Sequence, residues 1–346
     1  MFTNWFNQDI GIDLGTANTL IYVKNKGIVL NEPSVIAVDE STKKILAVGK
    51  DAKAMLGRAP AHISVVRPLE DGVISDFQMT EVMLREFLHK VVSERAWFTN
   101  VRVVVGVPSG VTNVEKRSVE EVVRHMGARE VYILDEPMAA AIGVGIPVEE
   151  PTGHMIADIG GGTSDIAIIA LGGIVTATSL RLAGDEMDEA IVAYMRRTYN
   201  LLIGTKTGEQ IKKEIGSVYL DPEDPDAIRS MEAKGRDLLT GLPKTVTIHS
   251  TDIVKALEES AAVLVEGVKN TLESAPPELA ADIVETGLVL AGGGAHLRGL
   301  DKLLAYHTGM TVTVAENALE AVAEGTGKSL QNIHLVRRVA MKDRRY

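Results

Sequence analysis

Three glycine-rich turns in this chain each follow a short apolar run, and an aspartate stands just before two of them. The turns cover residues 15–18, 160–163 and 292–295, and the aspartates are Asp13 and Asp158. Glycine allows the backbone to approach a ligand closely, and successive N–H groups in such a turn bind anions. Because a carboxylate alone would repel phosphate, we expect Mg²⁺ between these aspartates and a polyphosphate. The pattern therefore predicts a site for a magnesium nucleotide.

The first two turns lie in an internal repeat. Asp13 and Gly15 of the first copy match Asp158 and Gly160 of the second. In both copies a strand leads to the aspartate, a second strand follows the turn, and a glycine and a third strand come after. Chance similarity between two glycine-containing hairpins is the alternative. Because nearly half of the chain separates the copies, the repeat predicts two related domains and excludes a solenoid.

A third acidic residue, Glu136, follows an expected strand and precedes Pro137 at the start of an expected helix. An acid at this place suits the helix dipole, so a capping role alone would explain it. Alternatively, Glu136 projects from the strand end into a cleft, where it could orient a water molecule for attack on a γ-phosphate.

A short helix is predicted over residues 209–216, and Glu209 and Lys212 share one of its faces. The simplest interpretation of this spacing is a solvated ion pair.

The elements expected to position these residues alternate along the chain. Expected strands are residues 10–14, 19–23, 101–107, 131–134, 155–159, 166–171, 288–291 and 311–314. Expected helices are residues 80–92, 114–126, 185–198, 252–273 and 300–307. Alternating strands and helices predict an α/β fold with sheets covered on both faces.

Composition excludes several classes of protein. The 346 residues are 45% apolar and 24% charged, which is typical of a globular protein. A net charge of -11 gives no broad basic face, so we expect no nucleic-acid partner. The chain has no cysteine, which excludes disulfides, thiolate metal sites and a cysteine nucleophile. No apolar run is long enough to span a bilayer and no secretory signal is evident, so a cytoplasmic location is expected.

Five motifs together resemble the nucleotide-site motifs of the actin/Hsp70/sugar-kinase superfamily. They cover residues 13–19, 135–143, 158–163, 209–216 and 291–295. Further segments narrow the resemblance to the bacterial actin homologues of the MreB family, and they cover residues 27–34, 55–58, 67–77 and 276–280. The match extends over nearly the whole chain and weakens only at both ends and around residues 219–231.

The resemblance implies an α/β, actin-like ATPase fold with two duplicated lobes, each a sheet flanked by helices, around a nucleotide cleft. Lobe I would comprise residues 1–145 and 314–346, with a small insert at about residues 33–66. Lobe II would comprise residues 146–313, with a small insert at about residues 182–245.

The resemblance also implies roles for single residues. Those expected to bind the nucleotide are Asp13, Gly15, Thr16, Ala17, Asn18, Gly160, Gly161, Gly162, Glu209, Gln210, Ile211, Lys212, Gly292, Gly293, Gly294 and Ala295. Asp13 and Asp158 would hold Mg²⁺, mostly through water, and Glu136, Asp158 and Thr163 are the candidates for hydrolysis. The family usually has a threonine and then an acid where this chain has Ser164 and Asp165, so the hydroxyl and the carboxylate are both kept.

The function implied by the resemblance is ATP-dependent assembly into filaments of paired protofilaments. Such filaments would lie at the inner face of the cytoplasmic membrane, work with the cell-wall elongation machinery and maintain a rod shape. ATP or ADP and Mg²⁺ would be the cofactors. The alternatives are a small-molecule kinase of the same superfamily and a nucleotide-holding scaffold with negligible hydrolysis.

Two aromatic segments are candidates for membrane contact. Phe2, Trp5 and Phe6 would share one helix face, and Trp97 and Phe98 are neighbours in an expected loop. Aromatic side chains suit the membrane interface, and members of the resembled family bind membrane through such segments. Ordinary core packing is the alternative.

Overall fold

The computed structural model describes residues 9–91, 101–332 and Val336. Its strands are β1 (Ile10–Leu14), β2 (Asn18–Val23), β3 (Gly27–Pro33), β4 (Ile36–Asp39), β5 (Ile45–Val48), β6 (Ile63–Val66), β7 (Leu69–Glu70), β8 (Val73–Ile74), β9 (Arg102–Val107), β10 (Glu130–Asp135), β11 (His154–Ile159), β12 (Ser164–Ala170), β13 (Gly173–Leu180), β14 (Leu201–Leu202), β15 (Ser230–Asp237), β16 (Pro243–His249), β17 (Leu288–Ala291) and β18 (Val312–Val314).

The helices follow the amphipathic segments of the sequence. They are α1 (Lys50–Met55), α2 (Phe77–Val91), α3 (Asn113–His125), α4 (Glu136–Val144), α5 (Gly184–Tyr199), α6 (Thr205–Ile215), α7 (Ser250–Ala256), α8 (Glu258–Glu273), α9 (Pro277–Thr286), α10 (Leu300–Thr308) and α11 (Ala321–Ser329). Short 3₁₀ helices cover Gly293–His296 and Ala318–Glu320. The single helix expected over residues 252–273 is wrong in detail, because the fully buried Leu257 leaves helical geometry and separates α7 from α8.

Two five-stranded sheets share one topology. The first has the order β10-β9-β1-β2-β3, and the second has the order β18-β17-β11-β12-β13. In each sheet the hairpin strands are antiparallel, while the strands on the other side of the first hairpin strand run parallel to it. Asp13 is paired with Leu20 and Asp158 with Asp165. The expected α/β class and the duplicated hairpins are therefore confirmed, and buried aliphatic side chains form a core beside each sheet.

Helices α4 and α11 pack together between the two sheets. A Cβ placed on Gly143 would lie 1.8 Å from the carbonyl oxygen of Ala321, and a Cβ on Gly325 would lie 1.7 Å from that of Ala139. No side chain fits at either glycine, so the two backbones touch directly. Each helix follows the last strand of its own sheet, and the pair therefore repeats the symmetry of the sheets.

Two smaller sheets stand apart from the main pair. Strands β5, β4 and β6 form one of them beside α1, and β14, β15 and β16 form the other beside α6. Across the described part of the chain, no helix is both long and apolar enough to cross a bilayer. The aromatic residues proposed to contact membrane, Phe2, Trp5, Phe6, Trp97 and Phe98, lie outside the described residues.

Candidate functional site

A cavity of about 290 Å³ lies between the two main sheets, where the glycine-rich turns meet. Sixteen of the predicted site residues line it: Asp13, Gly15, Thr16, Ala17, Asn18, Glu136, Asp158, Gly160, Gly161, Gly162, Thr163, Glu209, Lys212, Gly292, Gly293 and Gly294. Residues that are far apart in sequence are thus brought to one place, as the motifs predict.

Three predicted residues do not line the cavity. Gln210 is exposed and donates to Glu214, Ile211 is fully buried in the core, and Ala295 is buried as well. Only one face of α6 borders the cavity, because side chains three, four and seven positions apart share a helix face. Those residues are Glu209, Lys212, Lys213 and Gly216.

The turns of the two hairpins face each other closely. A Cβ placed on Gly161 would lie 2.5 Å from the Cβ of Ala17, and one on Gly162 would lie 2.7 Å from Oγ1 of Thr16. A larger residue at either position would clash with the first turn, so both positions require glycine. Thr16 is itself held in place, since its Oγ1 accepts a hydrogen bond of 2.9 Å from the N–H of Gly72.

Three carboxyl groups share the floor of the cavity. Loss of water around Asp13 raises its pKa to about 7. Burial, and then the charge of Asp13, raises the pKa of Asp158. Burial raises the pKa of Glu136, and the charges of Asp165, Asp13 and Asp158 raise it further. Like charges this close favour protonation or a bound cation, so the cavity is electrostatically suited to Mg²⁺.

Glu136 reaches the cavity because β10 passes directly into α4. Asp135 ends the strand and binds Lys116 at 3.1 Å, and Pro137 stands in the first turn of the helix. The side chain of Glu136 is buried against the cavity wall. Of the two interpretations of this acid, the structure favours the one in which it faces the cleft.

Glu209 and Lys212 do not form the ion pair that their spacing suggests. Although burial opposes it, hydrogen bonds from Lys213 and Lys53 lower the pKa of Glu209 to about 2. Lys212 instead binds Asp188 at 2.8 Å and donates to the carbonyl oxygen of Gly184. Burial raises the pKa of Asp188 to about 6, and the charge of Lys212 opposes that rise.

Several contacts that join the two halves of the molecule were not predicted. Lys53 binds Glu209 at 3.0 Å, Arg67 binds Asp185 at 2.6 Å, and Arg181 lies 3.7 Å from Asp71. No local spacing reveals such pairs, because 156 residues separate Lys53 from Glu209. The available sign was that Arg67, Asp71 and Glu209 lie in segments that carry the family resemblance.

The model of the MreB/Mbl protein family matches residues 7–338. The cell shape-determining protein MreB of Escherichia coli K12 is 52% identical over 338 residues, which are 96% of each chain.

Solved structures agree with this result. The chain superposes on MreB 5 of Spiroplasma citri bound to AMPPNP with a TM-score of 0.90 at 40% identity, covering 96% of this chain and 98% of the other. The MamK double helical filament matches with a TM-score of 0.77 at 21% identity, covering 94% and 99%, and shows likeness of fold alone. The expected actin-like fold is therefore confirmed.

Proposed function

The chain belongs to the MreB/Mbl family of actin-like cytoskeletal proteins, and from that premise we propose that it binds and hydrolyses ATP and assembles into filaments. The observation that carries the proposal is the pair of Asp-x-Gly hairpins that face each other across one cavity. Lobe I would then comprise residues 1–145 and 314–346, and lobe II residues 146–313.

The nucleotide would lie with its phosphates between the two turns. Thr16, Ala17 and Asn18 offer backbone N–H groups from one lobe, and Gly160 to Gly162 offer them from the other. Glu209 and Lys212 would contact the nucleoside from α6, opposite Gly292 to Gly294. The relative from Spiroplasma citri has been solved with AMPPNP and with ADP, which supports an adenine nucleotide here.

Mg²⁺ would be held by Asp13 and Asp158 together with water and phosphate oxygens. Among residues 9–91, 101–332 and 336, no three His, Cys, Asp or Glu side chains are arranged to hold a metal alone. Mg²⁺ usually keeps several waters and takes one or two carboxylates plus phosphate oxygens, so two aspartates would be enough. When bound, the ion would neutralise charge on the phosphates.

Hydrolysis would be the attack of water on the γ-phosphorus, with cleavage of its bond to the bridging oxygen and release of ADP and phosphate. Glu136 would orient the water and accept a hydrogen bond from it, and the Thr163 hydroxyl would hold it from the other lobe. Both side chains are buried and line the cavity, so bulk water has little access. Positioning would supply most of the rate, and we expect slow turnover.

At the level of the cell, the filaments would lie in the cytoplasm at the inner membrane face, direct cell-wall synthesis and maintain a rod shape. The name of the relative from Escherichia coli, cell shape-determining protein, supports this role. Filament formation is supported by the double helical filament of MamK, which has the same fold. Membrane attachment would use Phe2, Trp5, Phe6, Trp97 and Phe98.

The test compares sedimentation and phosphate release with ATP, with ADP and without nucleotide, each with Mg²⁺. We expect polymer and slow phosphate release with ATP. Nucleotide binding without phosphate release would favour a scaffold, and phosphorylation of a small acceptor would favour a kinase. Electron microscopy on lipid vesicles would test membrane attachment, and absence of polymer under every condition would refute the filament.

A further inference from the structure

Asp165 is a buried carboxyl group to which the hydrolytic scheme above gives no role. It lies opposite Asp158 in the second hairpin and is 1% exposed. Its Oδ1 accepts two hydrogen bonds from Ser109, one of 2.8 Å from the N–H and one of 2.6 Å from Oγ. Its Oδ2 is buried and makes no hydrogen bond of normal geometry in the described structure, although the hydroxyls of Ser179 and Thr163 are close enough to lower the pKa of the group. A buried carboxylate with an unpaired oxygen destabilises the fold, so its presence points to function.

The contact with Ser109 joins the two lobes. Ser109 belongs to the loop that follows β9 in the first sheet, whereas Asp165 belongs to β12 in the second. The same loop is seated on the second sheet at Gly110, where an added Cβ would lie 2.8 Å from the Cβ of Ser179. The two hydrogen bonds therefore form only when the loop of lobe I rests against the hairpin of lobe II.

Asp165 is also close to both candidates for hydrolysis. Among the charges that raise the pKa of Glu136, that of Asp165 has the largest effect, ahead of Asp13 and Asp158. Burial raises the pKa of Asp165, and hydrogen bonds from Ser109, then from the hydroxyls of Ser179 and Thr163, lower it. Asp165 is thus hydrogen-bonded to Ser109 of one lobe and lies on the same hairpin as Thr163, near enough to influence the charge of Glu136.

We propose that Asp165 is a positioning residue that makes ATP hydrolysis depend on closure of the two lobes through Ser109. This inference rests on the hydrolytic function proposed above. In the closed arrangement Ser109 fixes the carboxylate of Asp165, which restricts Glu136 and Thr163 to the arrangement needed for attack by water. When the lobes part, Asp165 loses both hydrogen bonds and the two groups lose that restraint. Small errors in such positions lower rates strongly.

The experiment uses Asp165→Asn, which keeps the shape and removes the charge, and Ser109→Ala, which removes only one donor. Phosphate release is measured in a single turnover of bound MgATP, beside the Kd for MgATP. We expect release to slow about 10- to 100-fold in Asp165→Asn and about threefold in Ser109→Ala. The Kd should stay within about threefold, because the residue acts on the chemical step and not on ground-state binding.

A matched control exists elsewhere in the chain. Asp39 also accepts hydrogen bonds from the N–H and Oγ of one serine, Ser41, but in an exposed turn. Asp39→Asn should leave both measurements unchanged. The double variant of Ser109 and Asp165 should be no slower than Asp165→Asn alone, because both changes break one contact.

Three results would overturn the inference: an unchanged rate in Asp165→Asn, a Kd that weakens in step with the rate, or additive effects in the double variant. If the unaltered chain binds MgATP and releases no phosphate, the proposed hydrolysis fails and this inference fails with it. If the unaltered chain is active and Asp165→Asn is equally active, this inference alone fails.

Discussion

The two hairpins share a topology but differ in chemistry. In the first, Asp13 lies opposite Leu20 and the turn carries Thr16 and Ala17; in the second, Asp158 lies opposite Asp165. The second turn has Gly161 and Gly162 where Ala17 and Thr16 of the first turn approach it, and it ends in Thr163. Duplication therefore explains how two turns come to face each other across one cavity. The later differences explain how most of the groups proposed for hydrolysis come to lie on the second hairpin.

The helices that follow the two sheets differ in the same way. Glu136 opens α4 directly after β10, whereas a 3₁₀ helix separates β18 from α11, which brings Val322 to the cavity wall. An acid thus lines the cavity at the start of α4, whereas an aliphatic side chain lines it at the start of α11. The proposed catalytic groups come from both lobes, so neither lobe alone would hydrolyse ATP.

The largest expected effect tests this difference between the helices. Glu136→Ala should slow phosphate release about 100- to 1000-fold, because it removes the group proposed to orient water. Val322→Ala, which changes the aliphatic side chain that lines the cavity from α11, should change the rate by less than about threefold. Phosphate release under saturating MgATP checks both. Equal rates in Glu136→Ala and the unaltered chain would remove Glu136 from the mechanism.

A smaller effect is expected where the two turns meet. Gly161→Val should weaken MgATP binding about 10- to 100-fold, because the new side chain would enter the space of Ala17 and hold the turns apart. Ala17→Gly, on the other side of the contact, should be nearly neutral. Titration calorimetry would measure both, with thermal unfolding as the check on folding. Full affinity in Gly161→Val would mean that the turns need not close on the ligand.

Substitutions in α4 and α11 should destabilise the protein equally, whereas substitutions in the two hairpins should have unequal effects. Gly143→Ala and Gly325→Ala should each destabilise the protein by about 1–3 kcal/mol, because each new methyl group would strike a carbonyl oxygen of the other helix. Gly204→Ala, which has open space around it, is the control. Urea unfolding would measure all three. A loss confined to one of the two helix variants would contradict equal contact.

The smallest expected effect concerns the ion pair between the lobes. Lys53→Ala should weaken MgATP binding by at most about fivefold, because partly exposed ion pairs contribute about 0.2–1 kcal/mol. The difference should shrink as salt is added. Lys43→Ala, which removes an exposed pair with Glu40 inside one lobe, is the control. Tighter binding in Lys53→Ala would mean that the pair keeps ligand out.

Sequence patterns predicted what depends on near neighbours. Each expected strand was found within two residues of its place, because apolar runs and glycine turns are local features. The motif on α6 was less exact, since Gln210 and Ile211 share its sequence but not its cavity-facing side. Lys53 with Glu209 and Ser109 with Asp165 could not be predicted, because each pair forms only after the lobes come together.

The contact of bare backbone at Gly143 and Gly325 has a mechanical consequence. No side chain stands between the helices at these two glycines, and Lys328 and Asn317 donate to the carbonyl oxygen of Gly143 beside them, so the crossing of α4 and α11 would serve as an axis for rotation of the lobes. A rotation of a few degrees about such an axis moves each atom by an amount that grows with the distance of that atom from the axis. The small sheet beside α1, the helix that carries Lys53, and the small sheet beside α6 would then move more than the floor of the cleft.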